Sequence, residues 1–194
     1  MTTIAVVKKG GYAAIAADTL TKWGSGKESA AYVSNNDKIV RVGSTFLAAS
    51  GSATLKMIMR DYFSAPRAAA RFDDPMAIFH TWQRFHVALK SKYFLNAGAE
   101  KDDVLESSRF DVLVANPHGI FGIGAHRTVQ EYSKFYAIGS GTDLALGALY
   151  AAYDDAKRDA LALARLAVEA AAEFDDATGL PVTAHRVKIA SSSR

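Results

Sequence analysis

Residues 2–19 read TTIAVVKKGGYAAIAADT, two apolar runs hinged on the pair Gly10-Gly11. Glycine tolerates the positive φ angles that a two-residue hairpin turn demands, so the stretch predicts two antiparallel strands joined by a tight loop. In the second run the short side chains of Ala13, Ala14, Ala16 and Ala17 flank Ile15. Such small residues suit a sheet covered closely on at least one face, not a strand at the surface.

Outward from this hairpin, residues 20–36 (LTKWGSGKESAAYVSNN) are polar and turn-rich, and DKIVRV (37–42) and STFLAAS (44–50) read as two short strands. The period then changes. Leu55, Ile58, Met59 and Tyr62 fall at helical spacing behind Ser52, a usable N-cap, and a second helix starts near Asp73-Asp74-Pro75 and runs towards Phe94. Strands return at Phe110 to Ala115 and Ile120 to Gly124, with a further one ending at Ile138. Two alanine-rich helices follow, about Thr142 to Ala152 and Ala156 to Phe174, and PVTAHRVKI (181–189) closes the pattern as a strand. Strands and helices are segregated instead of alternating, which predicts an α+β layered domain and argues against a doubly wound parallel sheet.

Composition narrows the function classes. The 194 residues are 49% hydrophobic and 22% charged, enough for one domain, residues 1–194, to bury a sizeable core. The 23 basic and 20 acidic residues are interspersed and give a net charge of only +3, so no nucleic-acid partner is expected. Without cysteine there is no disulfide, thiolate metal site or cysteine nucleophile. The five histidines show no metal-ligand spacing, GSGT (139–142) lacks the lysine of a phosphate-binding loop, and no metal or cofactor is expected. Neither a signal-peptide pattern nor a run of apolar residues long enough for a membrane span is evident, and the expected location is the cytoplasm.

The motifs, taken in order, are Thr2-Thr3-Ile4, IAAD (15–18), DKIVRV, AASGSA (48–53), AIGSGTDLALGA (137–148) and FDDATG (174–179). In that order they resemble the proteasome β-subunit family of N-terminal nucleophile hydrolases, nearest to its bacterial branches, the HslV-type peptidases and bacterial proteasome homologues. The resemblance implies a four-layer αββα sandwich of two antiparallel sheets between helix layers. It also implies a threonine peptidase acting on peptides or unfolded polypeptides, self-association into rings, and, as in many relatives, a separate unfoldase ATPase. The same fold and nucleophile would also serve an amidohydrolase or acyl transferase acting on a small amide, or a silent ring-forming subunit.

By the same resemblance Thr2 is the nucleophile. Its own α-amine, with a reference pKa of about 7.7–8.0, is the base, and this requires removal of Met1, since a peptide bond at Thr2 leaves only a non-basic amide. Asp18 and Lys38 complete the triad: the lysine ammonium favours loss of the hydroxyl proton and the carboxylate holds the lysine. Because the stretch between them is longer than in the relatives, Lys22 and Lys27 are rivals to Lys38. Ser140, Asp175 and Thr178 match residues that support the amine and the attacking water. The oxyanion donor is a backbone N–H, at Ala49 in an ungapped match or at Gly51 in a shifted one, and we assign Gly51. Ala49 and Ala53 would line a specificity pocket. Singly each residue has an ordinary role, Asp18 as a turn residue or Lys38 as a solvated flank.

Overall fold

The computed structural model describes residues 2–65, 69–98 and 104–191. The predicted hairpin forms strands β1 (Thr3–Lys9) and β2 (Tyr12–Ala17), paired antiparallel with Val6 opposite Ile15. Gly10 and Gly11 both have positive φ, 59° and 78°, as a two-residue turn matched to strand twist requires. Next come β3 (Thr21–Trp23) and β4 (Gly26–Glu28), then β5 (Val40–Val42) and β6 (Thr45–Ser50). Helices α1 (Thr54–Ser64) and α2 (Pro75–Ser91) follow, then strands β7 (Asp111–Asn116), β8 (Gly119–Ile123), β9 (Val129–Tyr132) and β10 (Phe135–Gly139). The described chain ends with α3 (Thr142–Ala152), α4 (Ala160–Phe174) and β11 (Thr183–Lys188).

One sheet has the order β10-β1-β2-β11 and a second β5-β6-β7-β8-β9, all neighbours antiparallel, with β3-β4 a separate two-stranded ribbon. Strand alternation decides what faces what. Ile4, Val6, Ala13, Ile15 and Ala17 point into an apolar layer shared with Phe46, Leu113 and Ile120 of the second sheet. Ala5, Val7, Ala14 and Ala16 point the other way, against Ala145 and Leu149 of α3 and Leu163, Ala164 and Ala167 of α4. On the far side Met59, Phe63, Trp82 and Phe85 of α1 and α2 cover Val112, Val114 and Phe121. Three apolar layers therefore separate four layers of structure, in the order αββα.

Local chemistry sets the helix ends. Asp74 and Asp159 cap α2 and α4 by accepting from the N–H of Ala77 and Ala162, both at 2.8 Å, contacts worth about 1 kcal/mol each. Ser52 is not the N-cap of α1. Ala53 holds that position, and the Ser52 hydroxyl only reaches the Thr54 N–H at 3.3 Å. Helix α4 begins four residues later than its alanine pattern suggested, because Asp159 supplies the cap, and α2 stops at Ser91, short of Phe94. The ribbon β3-β4 and strand β9 were not predicted: each strand has three or four residues and none fully buried, so none carries a period.

Candidate active site

Hairpin register brings the first two site residues together. With Ile4 opposite Ala17, the next pair outward is Thr3 and Asp18, and the Asp18 N–H donates to the Thr3 carbonyl at 3.2 Å. Sixteen residues of separation in sequence thus become adjacency across a ladder. Thr2 is 3% exposed and Asp18 wholly buried. The Asp18 carboxylate is held by five donors: the Thr2 hydroxyl, the Thr3 N–H at 3.1 Å and Lys38 Nζ at 2.7 Å on Oδ1, and the N–H groups of Leu20 at 3.0 Å and Gly179 at 3.2 Å on Oδ2. A buried carboxylate requires this kind of satisfaction.

Lys38 enters from the segment before β5, which is anchored where Asp37 accepts from the Ile39 N–H at 2.9 Å and the Thr183 hydroxyl at 3.0 Å. Its ammonium has three protons and three acceptors: Thr2 Oγ1 at 2.7 Å, Asp18 Oδ1 at 2.7 Å and the Leu20 carbonyl at 2.6 Å. Burial lowers the Lys38 pKa from its ordinary value, the Asp18 charge and hydrogen bond oppose that, and the Lys56 charge adds to the lowering. The Thr2 hydroxyl therefore gives its proton to a carboxylate and receives one from an ammonium. The rivals make other contacts: Lys22 borders the same cavity but its ammonium is paired with Asp176, and Lys27 sits opposite Lys22 in the β3-β4 ribbon.

A second cluster fixes Thr2 from the other side. The Ser140 N–H donates to the Thr2 carbonyl at 2.9 Å, and the Ser140 and Thr178 hydroxyls donate to Asp175 Oδ2 at 2.6 and 2.5 Å. Burial opposes the Asp175 charge, but these two hydroxyls and the Ala177 N–H outweigh it and hold the carboxyl below its ordinary range. Thr3, which the sequence did not single out, joins the cluster. Its hydroxyl accepts from the Gly141 N–H at 3.1 Å and meets Thr178 Oγ1 at 2.6 Å; since Thr178 spends its proton on Asp175, Thr3 is the donor of that pair. Gly139, paired with Thr3, has φ 108°, and a Cβ there would stand 1.8 Å from the Thr2 carbonyl oxygen. Only glycine fits so close an approach.

Fold and site were compared with known proteins. No family model matches the chain, nor does any curated protein. Among solved structures, BPH of Thiobacillus denitrificans in complex with epoxomicin is 55% identical over 98% of this chain and 100% of that one, with a TM-score of 0.92. A second structure of BPH gives 55% identity over 97% and 99%, with a TM-score of 0.91. The chain belongs to the proteasome β-subunit family of N-terminal nucleophile hydrolases, in its bacterial branch. Eukaryotic HslV from Trypanosoma brucei, 18% identical over 96% of this chain and 99% of that one with a TM-score of 0.70, shares the fold.

In this proteasome-type subunit a cavity of about 300 Å³ opens beside Thr2. Ala49, Gly51 and Ala53 line it, as do Leu20 and Trp23, so both candidate oxyanion positions and both pocket alanines border the same space. Trp23 comes from the unpredicted ribbon, and Lys56 from the first turn of α1. Neither carried a sequence signal beyond its own type. Met1, whose removal the expected threonine nucleophile would require, lies outside the described residues. Among the described residues no helix is long and apolar enough to cross a membrane.

Proposed function

We propose that this chain is an N-terminal threonine peptidase that hydrolyses peptide bonds of peptides or unfolded polypeptides through an acyl-enzyme on Thr2. The observation that carries the reading is the Thr2 hydroxyl held between Asp18 and the Lys38 ammonium. Epoxomicin bound to a relative of 55% identity supports it, because an epoxyketone reacts with a hydroxyl and a free amine together. With Met1 removed, the Thr2 amine takes the hydroxyl proton as Oγ1 bonds to the substrate carbonyl carbon. The positive charge of Lys38 favours the alkoxide at a residue only 3% exposed.

The oxyanion accepts a hydrogen bond from a backbone N–H, assigned to Gly51. Collapse breaks the C–N bond, and the departing amine takes the proton held by the Thr2 ammonium. Water then attacks the ester, the amine accepting its proton and returning one to Oγ1, which releases the acid and restores Thr2. Asp18 orients Lys38, while Ser140, Asp175 and Thr178 hold the Thr2 backbone and its amine. Subunits of this single-domain chain assemble into rings in the cytoplasm, with the sites facing an enclosed space and a separate ATPase supplying unfolded substrate.

Turnover of unstructured casein against a panel of small amides tests the reading. Casein is degraded, and Thr2→Ala lowers the rate by roughly 10⁴–10⁶, as loss of a nucleophile does. Hydrolysis of the small amides alone assigns the same nucleophile to an amidase, and activity that survives Thr2→Ala removes Thr2 from the reaction.

A further inference from the structure

The cavity beside Thr2 carries more positive charge than bond cleavage uses. Lys22, Lys38 and Lys56 line it, and among the described residues no aspartate or glutamate does. Two of these cations are already paired, Lys38 with Asp18 at 2.7 Å and Lys22 with Asp176. Lys56 differs. Its ammonium donates to the Asn35 carbonyl, and among the described residues no carboxylate forms an ion pair with it. Burial first, then Arg60, hold its pKa below the ordinary lysine value, with Asp37 opposing them.

The position is unusual for a lysine. Lys56 lies in the first turn of α1, where the helix dipole disfavours a cation, and that turn has neither an acidic residue nor a side-chain cap. Through Ser52 and Ala53 the same helix end borders the cavity, adding the positive end of the dipole to the lysine charge. The walls beside these charges are apolar or small: Leu20, Trp23, Ala49 and Ala53. Such walls strengthen an ionic contact made against them. When Thr2 attacks a carbonyl, the side chain of the residue bearing that carbonyl begins two bonds from the reacting carbon, so the adjoining cavity is the space it enters.

We infer that the cavity receives an acidic side chain, Asp or Glu, of the residue on the carbonyl side of the scissile bond, with Lys56 as its counter-ion. This rests on the peptidase reading above and names its substrate class. No occupant other than an acid uses the whole arrangement: a basic side chain meets three cations, and a neutral one leaves Lys56 without a counter-ion.

The test uses the assembled protein and fluorogenic peptides identical except at that residue, which is Glu, Asp, Gln, Leu or Lys. The kcat/KM for Glu exceeds that for the isosteric Gln by about 10- to 100-fold, the range of a charge-assisted contact, and the Lys peptide is slowest. In Lys56→Met the Glu-to-Gln ratio falls towards one, and in Lys56→Arg it returns. Because the ratio is taken within one sample, a loss of folded protein cancels. Equal rates for Glu and Gln, or a ratio that Lys56→Met leaves intact, overturn the acidic pocket while the peptidase reading stands. If no peptide is cleaved and an epoxyketone does not label Thr2, the peptidase reading falls and this inference with it.

Discussion

The two helix layers cover their sheets with different residues. Behind the sheet that carries Thr2, the buried contacts of α3 and α4 are alanines with a few Leu and Val: Ala145, Leu149, Ala160, Leu163, Ala164, Ala167, Val168 and Ala171. Over the other sheet, α1 and α2 bury Phe63, Trp82 and Phe85 against Phe110 and Phe121. An aromatic ring buries roughly 150–250 Å², and at about 25 cal/mol per Å² it contributes several kcal/mol, far more than an alanine. The alanine layer gives up that gain and lets backbones approach closely. Closeness is what the site uses, since the start of β1, the β10–α3 turn and the end of α4 meet within hydrogen-bond distance around Thr2, Thr3 and Asp175. Bulk stability and placement of the proposed nucleophile are thus assigned to opposite faces of the molecule.

Substitutions that break one face and spare the other separate these tasks. Gly139→Ala has the largest effect: its Cβ would lie 1.8 Å from the Thr2 carbonyl oxygen, so the start of β1 must shift, and peptidase activity drops below detection in a steady-state assay. Phe85→Ala lowers unfolding free energy by about 3–5 kcal/mol in a denaturant titration. Its activity per folded molecule stays within a few-fold of the natural protein, because Phe85 packs in the far layer. Ala164→Leu overfills the near layer, costing about 1–3 kcal/mol, and lowers activity out of proportion to stability by displacing α4 and Asp175.

Solution conditions have the smallest effect. Activity rises through about pH 8 as the Thr2 amine, freed by removal of Met1, loses its proton. It falls again on the alkaline side, because a lysine whose folded-state pKa is lowered by burial keeps its charge only below that reduced value. The descending limb therefore lies below the ordinary lysine range, and Lys38→Arg moves it upward; kcat/KM against pH shows both.

The fold was legible where residues repeat with a period. The Gly10-Gly11 hairpin, the unbroken apolar runs of β1 and β2 and the helical stripe of α4 each report burial. Segments without a buried stripe were not legible: Trp23 reaches the cavity from a three-residue strand, and Ser52 was a plausible cap that the helix, starting behind Ala53, left outside. Of the site, the Thr2–Asp18 adjacency follows from strand register, whereas Lys38 and the Ser140–Asp175–Thr178 cluster come together only in the tertiary fold. Those residues were found by resemblance to a family, since no local pattern ties a lysine to a carboxylate twenty positions before it. Thr3 escaped notice because a threonine in a strand is ordinary until its hydroxyl is seen between Gly141 and Thr178.

The central claim is that a free Thr2 terminus is the nucleophile, and intact-mass spectrometry after treatment with an epoxyketone tests it most directly. The account predicts a chain that lacks Met1 and carries one inhibitor, with the adduct mapped to Thr2 and absent from Thr2→Ala. A chain that retains Met1 as isolated from its own cells, or an adduct that persists in Thr2→Ala, would contradict it.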